Sequence, residues 1–161
     1  MIAFFYHDKK QSKKKFKMNN HKYFTMEEMC KSSTAQKLKI KNEPTLLAKR
    51  NLDELMTFLD GIREAWGSPV VVSSGYRCAA LNKAVGGASN SNHLFGSAAD
   101  LQPKEGTVKD FFKFVKEYFE KNGIEFDELI LEKSGKSEWV HIANSYGNTN
   151  FKRMKVLKMT K

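Results

Sequence analysis

The sequence predicts an α+β domain in which helices pack on a small antiparallel sheet. Two stretches, residues 45–66 and 107–122, repeat apolar residues at the spacing of an amphipathic helix. Shorter apolar runs have the length and composition of strands, and they are residues 69–73, 97–102, 126–132 and 139–143. The last two of these runs form a hairpin pattern after most of the helical sequence, and this order favours the α+β class.

Two helices in the first half of the chain have recognisable start signals. Thr25 followed by Glu28 is a capping-box pattern and predicts a short helix. Pro44 and Thr45 begin a longer helix, which Gly67 ends. The apolar positions of this helix predict core packing, and they are Leu52, Leu55, Met56, Leu59, Ile62 and Trp66.

The second half of the chain interleaves strands with loops and short helices. Ser74 and Gly75 turn the chain after the first strand, and residues 77–84 are expected to form a short helix. Residues 86–92 have the glycine- and asparagine-rich composition of a loop. From residue 151 onward we expect an additional edge strand.

Size and composition predict one domain with its own hydrophobic core. The chain has 161 residues, of which 40% are hydrophobic and 12% aromatic. No apolar run approaches the ~20 residues that span a bilayer, so no membrane span is expected. The N-terminus places an apolar patch before its charges, the reverse of a secretory signal, so no export signal is expected. We expect a monomer.

The formal net charge of +10 is concentrated at the chain ends. A lysine-rich run extends from Lys9 to Lys17, and such blocks are usually solvated. We therefore expect residues 1–21 to be a flexible basic arm and residues 22–161 to be the folded domain, with Met18 as a possible alternative start. A basic arm attracts polyanions such as the anionic polymers of a bacterial cell wall. Specific binding of nucleic acid is not expected, since no recognition motif accompanies the lysines.

Three residues in the second half of the chain have the side chains of a metal site. His93 lies in a loop, and Asp100 follows it by seven positions on a predicted strand. His141 lies on the last predicted strand. Two imidazole nitrogens and one carboxylate oxygen suit Zn²⁺, and three protein ligands leave a fourth position open, as in catalytic sites. Considered without their surroundings, the same residues could equally be ordinary caps or hydrogen-bonding groups.

Three motifs surround these residues: Ser-Gly-Tyr-Arg at 74–77, Ser-x-His-x-x-Gly-x-Ala-x-Asp at 91–100 and Trp-Val-His at 139–141. In this combination and order they resemble the zinc D-Ala-D-Ala carboxypeptidase family of peptidoglycan peptidases, and the resemblance covers roughly residues 22–145. It implies the Hedgehog/D,D-peptidase fold. It also implies a bound Zn²⁺ with His93, Asp100 and His141 as its ligands.

The resemblance further implies two residues that contact the substrate. Arg77 matches an arginine that faces the substrate near the metal, and a guanidinium suits a carboxylate or a developing oxyanion. A structural salt bridge is the alternative role for Arg77. Ser91 matches a substrate-contacting serine, although it could equally cap its loop.

The general base is expected to be Glu138, because related enzymes place an acidic residue three positions before the last histidine. In an ideal strand, positions three apart point to opposite faces, so Glu138 would have to lie at the strand mouth or on a bulge. Glu132 on the facing hairpin strand is the alternative, and Asp127 is a more distant one.

The implied function is zinc-dependent hydrolysis of peptide bonds in the stem peptides of bacterial peptidoglycan. A D-Ala-D-Ala carboxypeptidase is the first expectation, and an endopeptidase that cuts L-Ala-D-Glu, as some phage lysins do, is the second. Such a lysin could be phage-encoded and released from the cytoplasm. A non-catalytic, zinc-containing cell-wall-binding module is the alternative of another class.

Overall fold

The computed structural model describes residues 16–160, so residues 1–15 of the predicted arm and residue 161 lie outside it. The helices are α1 (Met26–Cys30), α2 (Ser33–Lys37), α3 (Leu46–Trp66), α4 (Ala79–Ala84) and α5 (Val108–Asn122), with a 3₁₀ helix at Asn92–Phe95. The strands are β1 (Val70–Ser74), β2 (Ala98–Pro103), β3 (Glu128–Ser134), β4 (Ser137–Ala143) and β5 (Lys155–Thr160). The predicted α+β class is confirmed, and so are the two long helices.

The strands form one five-stranded sheet in the order β1-β2-β4-β3-β5. The pairs β1–β2, β2–β4 and β3–β4 are antiparallel, as predicted. The edge strand expected after residue 151 is present as β5, but it runs parallel to β3. The sheet is therefore mixed at this edge. Ala143 at the end of β4 and Lys155 at the start of β5 both pair with Glu128, so the segment between them crosses the end of β3 and β5 runs in the same direction as β3.

Side-chain alternation gives β3 and β4 two different faces. Leu129 and Leu131 of β3 belong to the hydrophobic core together with Val140 and Ile142 of β4. The core also contains the inward side chains of the long helices, including Leu52, Leu55, Met56 and Leu59 of α3 and Phe111, Val115 and Phe119 of α5. Residues at the alternate positions of β3 and β4 point away from this core.

Side-chain caps begin the helices as the sequence predicts. Thr25 accepts a hydrogen bond from the backbone N–H of Glu28, and Thr45 accepts one from Ala48. Thr107 and Asp110 form a reciprocal capping box at the start of α5. In the part of the chain that the structure describes, no helix has both the length and the apolar content to cross a membrane.

The last residues of the predicted arm contact α3. The backbone N–H of Asn19 donates to Asp53 Oδ1 at 2.9 Å, and the Asn19 side-chain amide donates to Asp53 Oδ2 at 2.8 Å. His21 Nε2 lies 2.7 Å from Asp53 Oδ1, and both side chains are buried. The packed part of the chain therefore begins before residue 22.

Gly96 lets the segment that carries His93 pack closely against α3. It ends the 3₁₀ helix with a φ of +74°, and a Cβ added to it would lie 2.6 Å from the carbonyl oxygen of Ala48. Gly86 has a similar φ of +71°, but nothing lies within 4 Å of an added Cβ. The two glycines share a left-handed backbone and differ in their surroundings.

We expect Gly96→Ala to destabilise the protein by more than about 2 kcal/mol, and Gly86→Ala by only about 1 kcal/mol. Both changes place a Cβ on a left-handed backbone, but only the first also drives it against α3. Urea unfolding of the two variants measures the difference. Equal losses would show that the contact with α3 contributes nothing.

Candidate metal centre

Three elements bring His93, Asp100 and His141 to one point. Asp100 lies on β2 and His141 on β4, and the antiparallel ladder makes them direct partners. Paired residues of adjacent strands point to the same face of the sheet, so both side chains lie on the face opposite the core. His93 comes from the 3₁₀ helix, which Ser91 begins as its N-cap. All three residues are buried.

The facing atoms of the three residues form a small triangle. His93 Nε2 lies 3.2 Å from His141 Nδ1 and 3.3 Å from Asp100 Oδ1, and the third side, from His141 Nδ1 to Asp100 Oδ1, is 2.9 Å. In a tetrahedral site with bonds of ~2.0–2.1 Å, neighbouring ligand atoms lie about 3.3–3.4 Å apart. A metal ion therefore fits among these atoms after small outward movements.

The outer nitrogen of each histidine faces an acceptor that fixes the ring. His93 Nδ1 lies 2.6 Å from the carbonyl oxygen of Gly75, which can only accept, so Nδ1 donates its proton there. His141 Nε2 lies 3.3 Å from Glu128 Oε2 and donates to that carboxylate. The inner nitrogens, His93 Nε2 and His141 Nδ1, are then left to face the common point. Partners of this kind orient histidines that bind metals.

The charges around the centre favour a cation at this point. Burial lowers the pKa of His93, although the charge of Asp100 partly opposes this, so His93 stays neutral at neutral pH. Burial acts in the same direction on His141, but hydrogen bonds and charges from Asp100 and Glu128 outweigh it and raise its pKa to about 9. Burial would raise the pKa of Asp100, but both histidines counteract it and hold that pKa well below its usual range. A metal ion would take the place of the proton on His141.

Arg77 holds the second oxygen of Asp100. Its Nη2 donates to Asp100 Oδ2 at 2.8 Å, and its Nε donates to Ser74 Oγ at 2.9 Å. The guanidinium thereby fixes the carboxylate with Oδ1 towards the centre. This is the salt-bridge role that was the alternative for Arg77, and its predicted contact with substrate remains a prediction.

A second set of charged residues supports His141 from the other side. Arg153 Nη2 lies 2.8 Å from Glu128 Oε1, the oxygen of Glu128 that does not face His141. Arg153 also donates from Nε and Nη2 to the two oxygens of Asp127, at 2.7 and 2.6 Å. Asn92 donates to Asp127 Oδ2 at 2.8 Å. Asp127 is thus fully buried, and both of its carboxylate oxygens accept hydrogen bonds. This carboxylate positions Arg153.

The centre opens into a cleft of about 720 Å³. Arg77 and Ser91 line it near the metal ligands, and Glu132 and Trp139 line it further along the sheet. The Ser91 hydroxyl also accepts from the backbone N–H of His93, at 3.4 Å, so it caps the 3₁₀ helix while bordering the cleft. The cleft gives a second molecule access to the otherwise buried triangle.

Comparison with known proteins assigns the family. The family model described as "Peptidase M15" matches residues 22–143, about three quarters of the chain. The chain belongs to the peptidase M15 family. A segment of 55 residues is 46% identical to the zinc D-Ala-D-Ala carboxypeptidase of Streptomyces albus G. That segment is 34% of this chain and 22% of the relative, so the chain spans only a small part of that protein.

The structure of this M15 peptidase separates the candidates for the general base. Glu132 of β3 lines the cleft and is 7% exposed. It also interacts with other residues of the protein. The β3–β4 ladder runs in continuous register from Ser134↔Ser137 to Glu128↔Ala143, without a bulge, and Glu138 is the second residue of β4, at the mouth of the hairpin. Strand alternation places Glu138 on the face opposite His141, and it is not among the residues that line the cleft, so its role as the base remains a prediction.

Four residues of the peptidase site are not among those expected from its sequence. Gly75 contributes only its carbonyl oxygen, which no residue type reveals. Glu128 contacts His141 because β3 pairs with β4, and Lys155 enters the cleft because β5 pairs with β3. Arg153 precedes β5 and contacts Glu128 across the space between the two segments. The acidic pair at 127–128 before a predicted strand was the one local signal that could have drawn attention to Glu128.

Glu128→Ala should weaken metal binding by about 10- to 100-fold, because His141 loses the carboxylate that orients its ring. Glu125→Ala, which changes an exposed glutamate in the same segment, is the matched control and should bind metal as the wild type does. Competition between the protein and a chromogenic chelator measures both affinities. Unchanged affinity in Glu128→Ala would mean that the contact with His141 does not support the centre.

Proposed function

We propose that this M15 peptidase is a zinc enzyme that hydrolyses peptide bonds in the stem peptides of bacterial peptidoglycan. One observation supports this most directly. Three possible metal-ligand atoms, two histidine nitrogens and one aspartate oxygen, lie 2.9–3.3 Å from one another at the base of an open cleft. The name of the Streptomyces relative supports both the metal and the D-Ala-D-Ala type of substrate.

The proposed zinc ligands are His93 Nε2, Asp100 Oδ1 and His141 Nδ1. The donor set of two imidazoles and a carboxylate matches that of catalytic zinc sites, which keep a fourth position for water or substrate. When bound, Zn²⁺ supplies a water of lowered pKa and polarises the scissile carbonyl. Arg77 contributes by holding Asp100, and Glu128 contributes by holding His141.

The proposed general base is Glu132. It lies on the cleft side of β3, and its ladder partner on β4 is Trp139, two positions before His141. Diagonal neighbours on one face of a sheet lie roughly 7–8 Å apart, which is within reach of a long side chain such as glutamate. From this position the Glu132 carboxylate would take a proton from the attacking water and pass it to the leaving amine. Asp127 cannot serve, because Arg153 and Asn92 occupy both of its oxygens.

The purified protein should contain about one zinc per chain, and it should release soluble products from purified peptidoglycan. Chelation of the metal should stop the digestion, and His141→Ala should lose both the zinc and the activity because two remaining ligands bind far more weakly. Elemental analysis gives the metal content.

Mass spectrometry of the products identifies the bond. Release of D-alanine supports the carboxypeptidase type, and products cut between L-Ala and D-Glu would instead establish an endopeptidase. A zinc-loaded protein that binds cell walls without releasing any product would overturn the proposal in favour of a binding module.

Glu132→Gln should retain zinc and lose turnover by about 10²-fold or more, since the amide cannot accept the proton. Glu138→Gln is the matched control, and it should keep nearly full activity because it lies on the other face of the sheet. Steady-state rates and metal content of the two variants test the assignment. A dead Glu138→Gln beside an active Glu132→Gln would restore the base expected from sequence.

A further inference from the structure

We infer that the C-terminal strand β5 is a substrate-binding wall of the cleft and that Lys155 binds a carboxylate of the substrate. The identity of that substrate as a peptide rests on the proposed function. The family match ends at residue 143, so β5 lies outside it.

The register of β5 places one row of its side chains in the cleft. In the parallel ladder Lys155 pairs with Glu128, Leu157 with Ile130 and Met159 with Glu132. Paired residues share a face, so this row points to the side of the metal centre. All three β5 residues line the cleft. Val156 and Lys158, at the alternate positions, line a separate groove against α5, which Leu157 also borders.

Among the described residues that line the cleft, Lys155 is the cation best able to bind an incoming anion. The guanidinium of Arg77 is held by Asp100 at 2.8 Å, and that of Arg153 by Asp127 at 2.6 Å. Lys155 Nζ lies 3.7 Å from Glu128 Oε1, and its side chain is 44% exposed. Since Glu128 already has closer partners in Arg153 and His141, the ammonium of Lys155 can turn to a carboxylate at modest cost.

The remainder of the row is apolar and exposed. Leu157 is 42% exposed and Met159 41%, on a strand that already pairs with its neighbour. Alternate residues of a strand are about 6.6 Å apart, close to the spacing of alternate side chains in an extended peptide. A lysine followed by two apolar side chains at this spacing fits a peptide that presents a carboxylate next to small apolar side chains.

The test compares Lys155→Met with Lys158→Met in the full-length, zinc-loaded protein. The two substitutions remove the same charge from the same strand, but only the first lies in the cleft. The probes are a tripeptide that ends in D-Ala-D-Ala and the same tripeptide with a C-terminal amide. Fluorescence of Trp139, which lines the cleft, reports binding on rapid mixing before turnover.

The wild type and Lys158→Met should bind the acid about 3- to 10-fold more tightly than the amide, and this preference should shrink as salt rises. Lys155→Met should bind both probes equally, at the wild-type affinity for the amide, with its zinc content unchanged. The inference is overturned if the wild type shows no preference, if Lys155→Met keeps it, or if Lys158→Met loses it equally. A preference that follows this pattern in a protein that hydrolyses nothing would overturn the proposed function alone.

Discussion

Asp100 and His141 face each other across the β2–β4 ladder, and the whole metal centre depends on this pairing. A slip of one residue would turn one of the two side chains towards the core. The next pair along the ladder, Leu101 and Val140, is buried in that core, so hydrophobic burial on one face fixes the register that assembles polar groups on the other. His93 needs only to approach from outside the sheet.

The two carboxylates nearest the centre each contact His141 with one oxygen and an arginine with the other. Asp100 directs one oxygen to Nδ1 of His141 and gives the other to Arg77, and Glu128 directs one oxygen to Nε2 of the same ring and gives the other to Arg153. Each carboxylate, Asp100 buried and Glu128 partly buried, thus has a partner for both oxygens, which offsets the cost of removing its charge from water.

Local signals in the sequence sufficed for the long helices, whereas the three residues of the triangle were expected as metal ligands from the resemblance of the motifs around them. Thr45 and Thr107 cap helices where the sequence predicts them, since a cap depends on residues three positions away. The general base could not be fixed in this way, because the choice between Glu138 and Glu132 depends on which face each occupies, and a bulge would reverse that face. Likewise, nothing within residues 151–160 indicates that β5 pairs with β3 in parallel, since its partner lies more than twenty residues earlier.

The segment after β4 is tied to the centre although it lies outside the family match. Arg153 reaches back to both Asp127 and Glu128, and the backbone N–H of Lys155 donates to the carbonyl of Asp127 at 2.9 Å. These bonds set where β5 begins and hence which of its side chains enter the cleft. The two parts of the chain therefore have different roles. Residues up to β4 bring the metal-ligand atoms together, and β5 borders the space where a substrate would lie. Because Arg153 contacts both Asp127, beside the start of β5, and Glu128, which contacts His141, the wall of the cleft and the orientation of His141 depend on the same arginine.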